Sequence, residues 1–268
     1  MSEDWTNNIT PPIQTSAATL SEIKYFNTQK FVLSRKIFTF VSIKPFNYSF
    51  LMNIDGLLKK YFSNSNISPS IEVFDKDSIH PVYTDIVNLL KSYPDIELSL
   101  LQALSYCFYE VLDNVLTHSE KLCGTVIMRY QPSENIIQVL VADDGIGVHK
   151  SLTANPNYNS MSEEEAIASC INDKVTDGKG MGFGLYCTSR LIKNAGIKLE
   201  IHSCKSVMSY NGESTHVYTD EHWQGTIVYF ELHSNKDIDP NDVVENRTNC
   251  VEQFDDEFIN TDEFDNLW

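Results

Sequence analysis

LSLLQALSYCFYEVLDNVLTH, Leu98 to His118, is the stretch on which the reading of this chain turns. Its apolar residues recur at helical spacing. Leu104, Cys107, Phe108, Val111 and Val115 share one stripe, which suits a core. Glu110, Asn114, Thr117 and His118 stand at i, i+4, i+7 and i+8, forming a second, polar stripe. A solvated helix face is one account of that stripe. The other is a face for metal binding and proton transfer. Asn114 offers a hard oxygen for magnesium, and Glu110 can orient or deprotonate a nucleophile.

Two further segments must be read with this one. The apolar run IIQVLVA, Ile136 to Ala142, reads as a strand that delivers Asp143 at its end, followed by Gly145 and Gly147. Glycines there let the backbone approach a flat ligand closely. A buried carboxylate at Asp143 can accept from an exocyclic amine such as that of adenine, although Asp-Asp-Gly is also an ordinary turn. The third segment is GKGMGFGL, Gly178 to Leu185, with glycine at every second position before a helix. Backbone N–H groups and the helix N-terminus together favour an anion. It is not a Walker loop, because no Gly-Lys-Ser/Thr follows the glycines, and it is not a Rossmann turn, because no strand directly precedes it. Lys179 either touches phosphate or is a solvated loop residue.

EVLDNVLTH, DDGIG and GKGMGFGL, in this order, resemble the GHKL superfamily of gyrase-type topoisomerases, MutL, heat-shock chaperones, sensor histidine kinases and anti-sigma serine kinases. Gly225-Thr226 adds a weaker match, and the resemblance covers about Ile96 to Leu232. It implies ATP and magnesium as ligands. It also implies an α/β (α+β) fold: a two-layer Bergerat sandwich with a mixed, mostly antiparallel sheet covered by helices on one face. Asp143 would meet adenine, Asn114 would hold magnesium and Glu110 would be the general base. The ATP-binding set is then Asn114, His118, Asp143, Gly145, Gly147, Lys179, Gly180, Gly182, Phe183, Gly184, Leu185 and Thr226. The stretch from about His149 to Lys179 corresponds to a mobile ATP lid.

Around this domain, expected over 95–235, the chain divides further. Residues 1–28 read as a flexible arm, and 29–94 as a small β-α-β-α module. Its strands are IFTFVSI (Ile37 to Ile43) and IEVF (Ile71 to Phe74), and its helices Phe50 to Phe62 and Pro81 to Tyr93. SIEVFDKDSIHPVYTDIVNLLK resembles a STAS-like strand-turn-helix, without the usual phosphorylatable Ser at the helix start. A plain extension supporting the ATPase is the alternative. Ser162 and Glu165 have capping-box spacing and predict a short helix inside the lid. Asn211-Gly212 predicts a type I′ hairpin.

The net charge is −17, which disfavours nucleic acid as a direct partner. Residues 236–268 form an acidic tail with eleven acids against Lys236 and Arg247, about half of that excess. Phe254, Phe258, Ile259, Phe264, Leu267 and Trp268 punctuate it, which suits partner binding or self-association as well as a solvated tail. Six scattered cysteines without a Cys-x-x-Cys pair argue against a zinc site or disulfide framework and fit a reducing cytoplasm. No apolar run is long enough for a membrane span, and the first residues lack a secretory signal pattern.

No His-bearing helix pair precedes the ATP segments and no further domain follows Leu232, which points away from sensor kinases and intact topoisomerases. His118 and the compact length resemble stand-alone bacterial anti-sigma-kinase-like proteins paired with STAS-like partners. The expectation is a cytoplasmic regulatory protein in which ATP-dependent lid closure controls a protein partner, with slow hydrolysis or none, and with room for a homodimer. The alternatives are a protein serine/threonine kinase, and an ATPase subunit of a defence or DNA-associated complex.

Overall fold

The computed structural model describes residues 54–244 except Met181. The arm, the strand expected at Ile37 to Ile43 and the tail beyond Val244 lie outside the described residues. The elements in chain order are α1 (Ile54–Tyr61), β1 (Ser70–Asp75), α2 (Ile79–Lys91), α3 (Leu98–His118), β2 (Cys123–Gln131) and β3 (Ile136–Ala142). They continue with α4 (Gly147–Thr153), a 3-10 turn (Pro156–Tyr158), α5 (Glu163–Ser169), α6 (Gly184–Ala195), β4 (Gly196–Tyr210), β5 (Thr215–His233) and α7 (Pro240–Val244).

One five-stranded sheet has the order β1-β2-β3-β5-β4. Every neighbouring pair is antiparallel, so the sheet is not mixed among the described strands. β3 and β4 run the same way, but β5 lies between them. The side-chain alternation of strands sets up the two faces. Val126, Met128, Val139, Val141, Leu199, Phe230 and Leu232 face the layer of α2, α3, α5 and α6 in the larger core. Ile127, Leu140, Ile227 and Tyr229 point the other way, and there α1 covers them with Ile54, Leu57, Leu58 and Tyr61. The expectation of helices on one face therefore needs correction: a short amphipathic helix packs on the second face. A polar net helps to hold it, in which buried Arg129 donates from Nη1 to Phe62 O (2.7 Å) and Tyr61 OH donates to Glu200 Oε1 (2.7 Å).

The stretch expected to belong to a separate module joins the same sheet. β1 pairs with β2 from Ser70↔Met128 to Asp75↔Cys123. Ile79, Val82, Ile86 and Leu90 of α2 are buried in the same core as α3. β1 and α2 have too few apolar residues of their own to enclose a core, so they complete the neighbouring one. Close packing explains Gly124: a Cβ there would lie 2.7 Å from Phe74 Cζ and 2.8 Å from Val115 Cγ1. α2 starts at Ile79, two residues before the expected Pro81, which still sits in the first turn, where a missing N–H is tolerated.

Residues after Asn235 are not all tail. Val243 is fully buried and shares the core with α3 and α6. Ser99 Oγ donates to Asp237 Oδ1 at 2.8 Å, and Arg190 Nε donates to Asp242 O at 2.5 Å. The domain therefore extends at least to Val244, the last of the described residues.

One turn differs from expectation. Tyr210 pairs with Thr215, so the hairpin loop has four residues and is not a two-residue type I′ turn. Asn211 Oδ1 organises it by accepting from the N–H groups of Glu213 (3.0 Å) and Ser214 (2.9 Å). A bulge at Cys204, with φ +53, bends the long β4–β5 ribbon.

Candidate functional site

The polar stripe of α3 opens onto a cleft of about 280 Å³, at the small end for ligand pockets. Glu110, Asn114, Thr117 and His118 all line it, together with Asp143, Gly147, Lys179, Gly180, Gly182, Phe183, Gly184, Leu185 and Thr226. Among the site residues named from sequence only Gly145 lies outside the lining, because its N–H sits behind Asp143 and donates to Asp143 Oδ1 at 2.7 Å.

Asp143 stands where β3 leaves the sheet. Its N–H still donates to Thr226 O (2.9 Å), and Trp223 Nε1 donates to its carbonyl (2.9 Å). The side chain is buried. Burial pushes its carboxyl up to about 7, against the N–H groups of Gly145 and Thr226, which favour the charged form. Gly225, with φ +96, has no room for a side chain, since a Cβ would lie 2.5 Å from Gly145 N. This buried acceptor suits an amino-substituted heterocycle.

At the other end, α6 begins at Gly184 beside α3. Phe183 has no side-chain oxygen to cap the helix, so its positive end faces the cleft. Glu110 is raised to about 7, chiefly by burial and further by the negative charge of Asp113. That value suits a group that takes up a proton near neutrality. No cluster of three or more His, Cys, Asp or Glu able to hold a metal exists among the described residues. A magnesium ion here would need phosphate oxygens and water besides Asn114, as is usual for nucleotide-bound magnesium.

The lid expected from His149 to Lys179 is largely packed structure. Leu152, Ala166, Ile167, Cys170 and Ile171 are buried in the main core. The capping box at Ser162 and Glu165 is present in both directions. The stretch without a regular element that borders the cleft is the loop between Ser169 and Gly184. Sequence reading missed its central residue. Asp177 accepts from His118 Nδ1 (2.8 Å), Ser151 Oγ (3.0 Å) and Lys179 N (2.9 Å). Ser203 was missed as well. Its Oγ accepts from Val148 N (2.9 Å) and donates to Gly225 O (3.0 Å), tying β4 to the start of α4. No local motif marks either residue; only the folded geometry does.

An antiparallel sheet layered with helices, with a buried acid at one end of a cleft and a glycine-rich helix start at the other, defines a nucleotide-binding sandwich. Residues 100–236 match the HATPase_c family, described as Histidine kinase-, DNA gyrase B-, and HSP90-like ATPase. The chain belongs to that family and is an ATP-binding protein of the GHKL type. No curated protein matches it. Among the described residues, no helix is long and apolar enough to cross a membrane.

Proposed function

We propose that this protein is an ATP- and magnesium-dependent regulatory switch, in which the loop between α5 and α6 closes on the nucleotide and alters the affinity for a protein partner. The observation that carries this reading is the cleft itself, which gathers a buried acceptor, a polar helix stripe and a glycine-rich helix start. Asp143 orients the base by accepting its amino group. The N-terminal turn of α6 and Lys179 hold the phosphates, and Asn114 holds the magnesium. Bound magnesium would neutralise phosphate charge. A STAS-like or other regulatory protein fits as partner, and a second copy of the chain is the alternative.

The raised Glu110 carboxyl favours a second reading, as a protein serine/threonine kinase. Glu110 would take the proton from a partner hydroxyl as its oxygen attacks the γ-phosphorus and the bond to the β-phosphate oxygen breaks, leaving ADP. The full chain incubated with γ-labelled ATP and magnesium, with and without candidate partners, separates the readings. Label on a partner supports the kinase, free phosphate supports hydrolysis, and binding with neither supports the switch. Calorimetry showing no ATP binding overturns all of them.

A further inference from the structure

We propose that Asp177 makes the cleft discriminate by phosphate number, because its carboxylate occupies the donors that the β- and γ-phosphates of a nucleotide would take. The proposal rests on the ATP-binding reading of the cleft and adds a specificity-determining residue to it.

The side chain of Asp177 is only 2% exposed and lies in the cleft lining with the glycine-rich loop. Three elements converge on it. The end of α3 sends His118 Nδ1, α4 sends Ser151 Oγ, and the loop sends the Lys179 N–H, with Lys179 Nζ at 3.8 Å. Burial pushes the carboxyl up, but the donors from Lys179, His118 and Ser151 more than reverse this and hold it below its ordinary value. A charged acceptor surrounded by hydroxyl, imidazole, ammonium and backbone donors is the environment that a phosphate oxygen requires. Two of these donor residues, His118 and Lys179, are among those read from the sequence as ATP-binding. The other nitrogen of His118, Nε2, lies on the glycine side, 3.7 Å from where a Cβ of Gly180 would stand.

The carboxylate is therefore an internal anion that closes the phosphate end of the cleft. A ligand that reaches only the Asp143 end leaves this tie intact. A ligand with a long phosphate chain competes for its donors, so the tie must break before the loop can close on the nucleotide, and the competition lowers its affinity. Asp177 thus sets a threshold that adenosine does not meet and ATP must overcome.

The test uses the full chain with magnesium, titrated calorimetrically with adenosine, AMP, ADP and ATP. Asp177→Asn should raise affinity for ATP by about tenfold, the scale of one charge-assisted hydrogen bond, and leave adenosine within about twofold. Asp177→Glu keeps the charge but displaces the carboxylate by one carbon, and should share part of the gain. A ratio that stays flat from adenosine to ATP, or a loss for ATP, overturns the proposal. So does a gain in Asp177→Asn with none in Asp177→Glu, which would mean simple repulsion. If Asp177→Asn does not fold, the imidazole nitrogen signals of His118 in the unsubstituted chain decide. ATP should shift Nδ1 and adenosine should not, and an equal response to both overturns the proposal. If the unsubstituted chain binds none of the four ligands, the ATP reading itself fails, an outcome distinct from binding without discrimination.

Discussion

Gly184 and Glu110 meet face to face where α6 begins: a Cβ on Gly184 would lie 3.0 Å from Glu110 Oε2 and 3.1 Å from Glu110 Cβ. The same added carbon would lie 3.1 Å from Asn114 Nδ2. Three residues from two separate sequence segments thus share one crowded point. Gly184→Ala should turn the Glu110 carboxylate away and cut phosphate transfer or release on the order of tenfold or more, because misplacing a reacting group by a fraction of an ångström is costly. Adenosine affinity, measured at the Asp143 end, should change little. Equal loss of both would mean that the substitution disturbs the whole cleft.

Asp143 and Glu110 should separate binding from turnover. Asp143→Asn is expected to weaken ATP binding on the order of tenfold, through loss of a buried charged acceptor. Glu110→Ala should preserve binding and abolish whatever phosphate transfer the protein carries out. Calorimetry and γ-phosphate release on the same preparations check both, and unchanged ATP affinity in Asp143→Asn removes that residue from the site.

The raised carboxyl of Asp143 also predicts how the nucleotide-free protein responds to pH. Its folded value of about 7 exceeds the ordinary 3.8, so the fold favours the protonated form. The associated stability is complete below the ordinary value and is lost as pH rises through about 7. Asp143→Asn does not carry that burden. Its melting temperature relative to the unsubstituted chain should therefore rise between about pH 5 and about pH 8, by an amount worth on the order of 1–3 kcal/mol. Parallel pH curves for the two proteins would show that the carboxyl is not strained by burial.

Truncation should locate the end of the domain. A chain ending at Val244 should fold and bind ATP, whereas one ending at Asn235 loses the buried Val243 and the Arg190 contact to Asp242. Losing that burial should cost about 2 kcal/mol or more and lower the melting temperature by several degrees. Thermal melts of both truncations decide. If the Val244 truncation also loses a partner or an oligomer seen with the full chain, the segment 245–268 is a docking element.

The sandwich and most of the cleft were legible because each of the three segments joins chemistry to a local period. Helical spacing placed Glu110 and Asn114 on one face, a continuous apolar run delivered Asp143, and the glycines preceded a helix. What escaped depends on contacts between distant residues. β1 was readable as a strand, but nothing local says that Ile71 pairs with Ile127. α1 was readable as a helix, but not that its partner was the far face of the sheet. The resemblance implied a mobile lid, although Ala166 and Ile167 bury completely or nearly so. Asp177 sits in an ordinary Thr-Asp-Gly sequence, and only the meeting of α3, α4 and the loop gives it three donors.

The pairing of β3 with β5 has a consequence for the newborn chain. β3 ends at Ala142, but its outer edge pairs with residues 227–233, and Asp143 is fixed by Trp223 and Thr226. During synthesis the ribosome must add more than eighty residues after Asp143 before that edge is covered. Until then the apolar strand Ile136–Ala142 has an open side, the condition under which chains pair wrongly with one another. The nucleotide site is therefore assembled late and nearly all at once, when β5 closes the sheet and α7 follows it. ATP cannot guide the early stages of folding, because the acid that would greet its base is not yet in place.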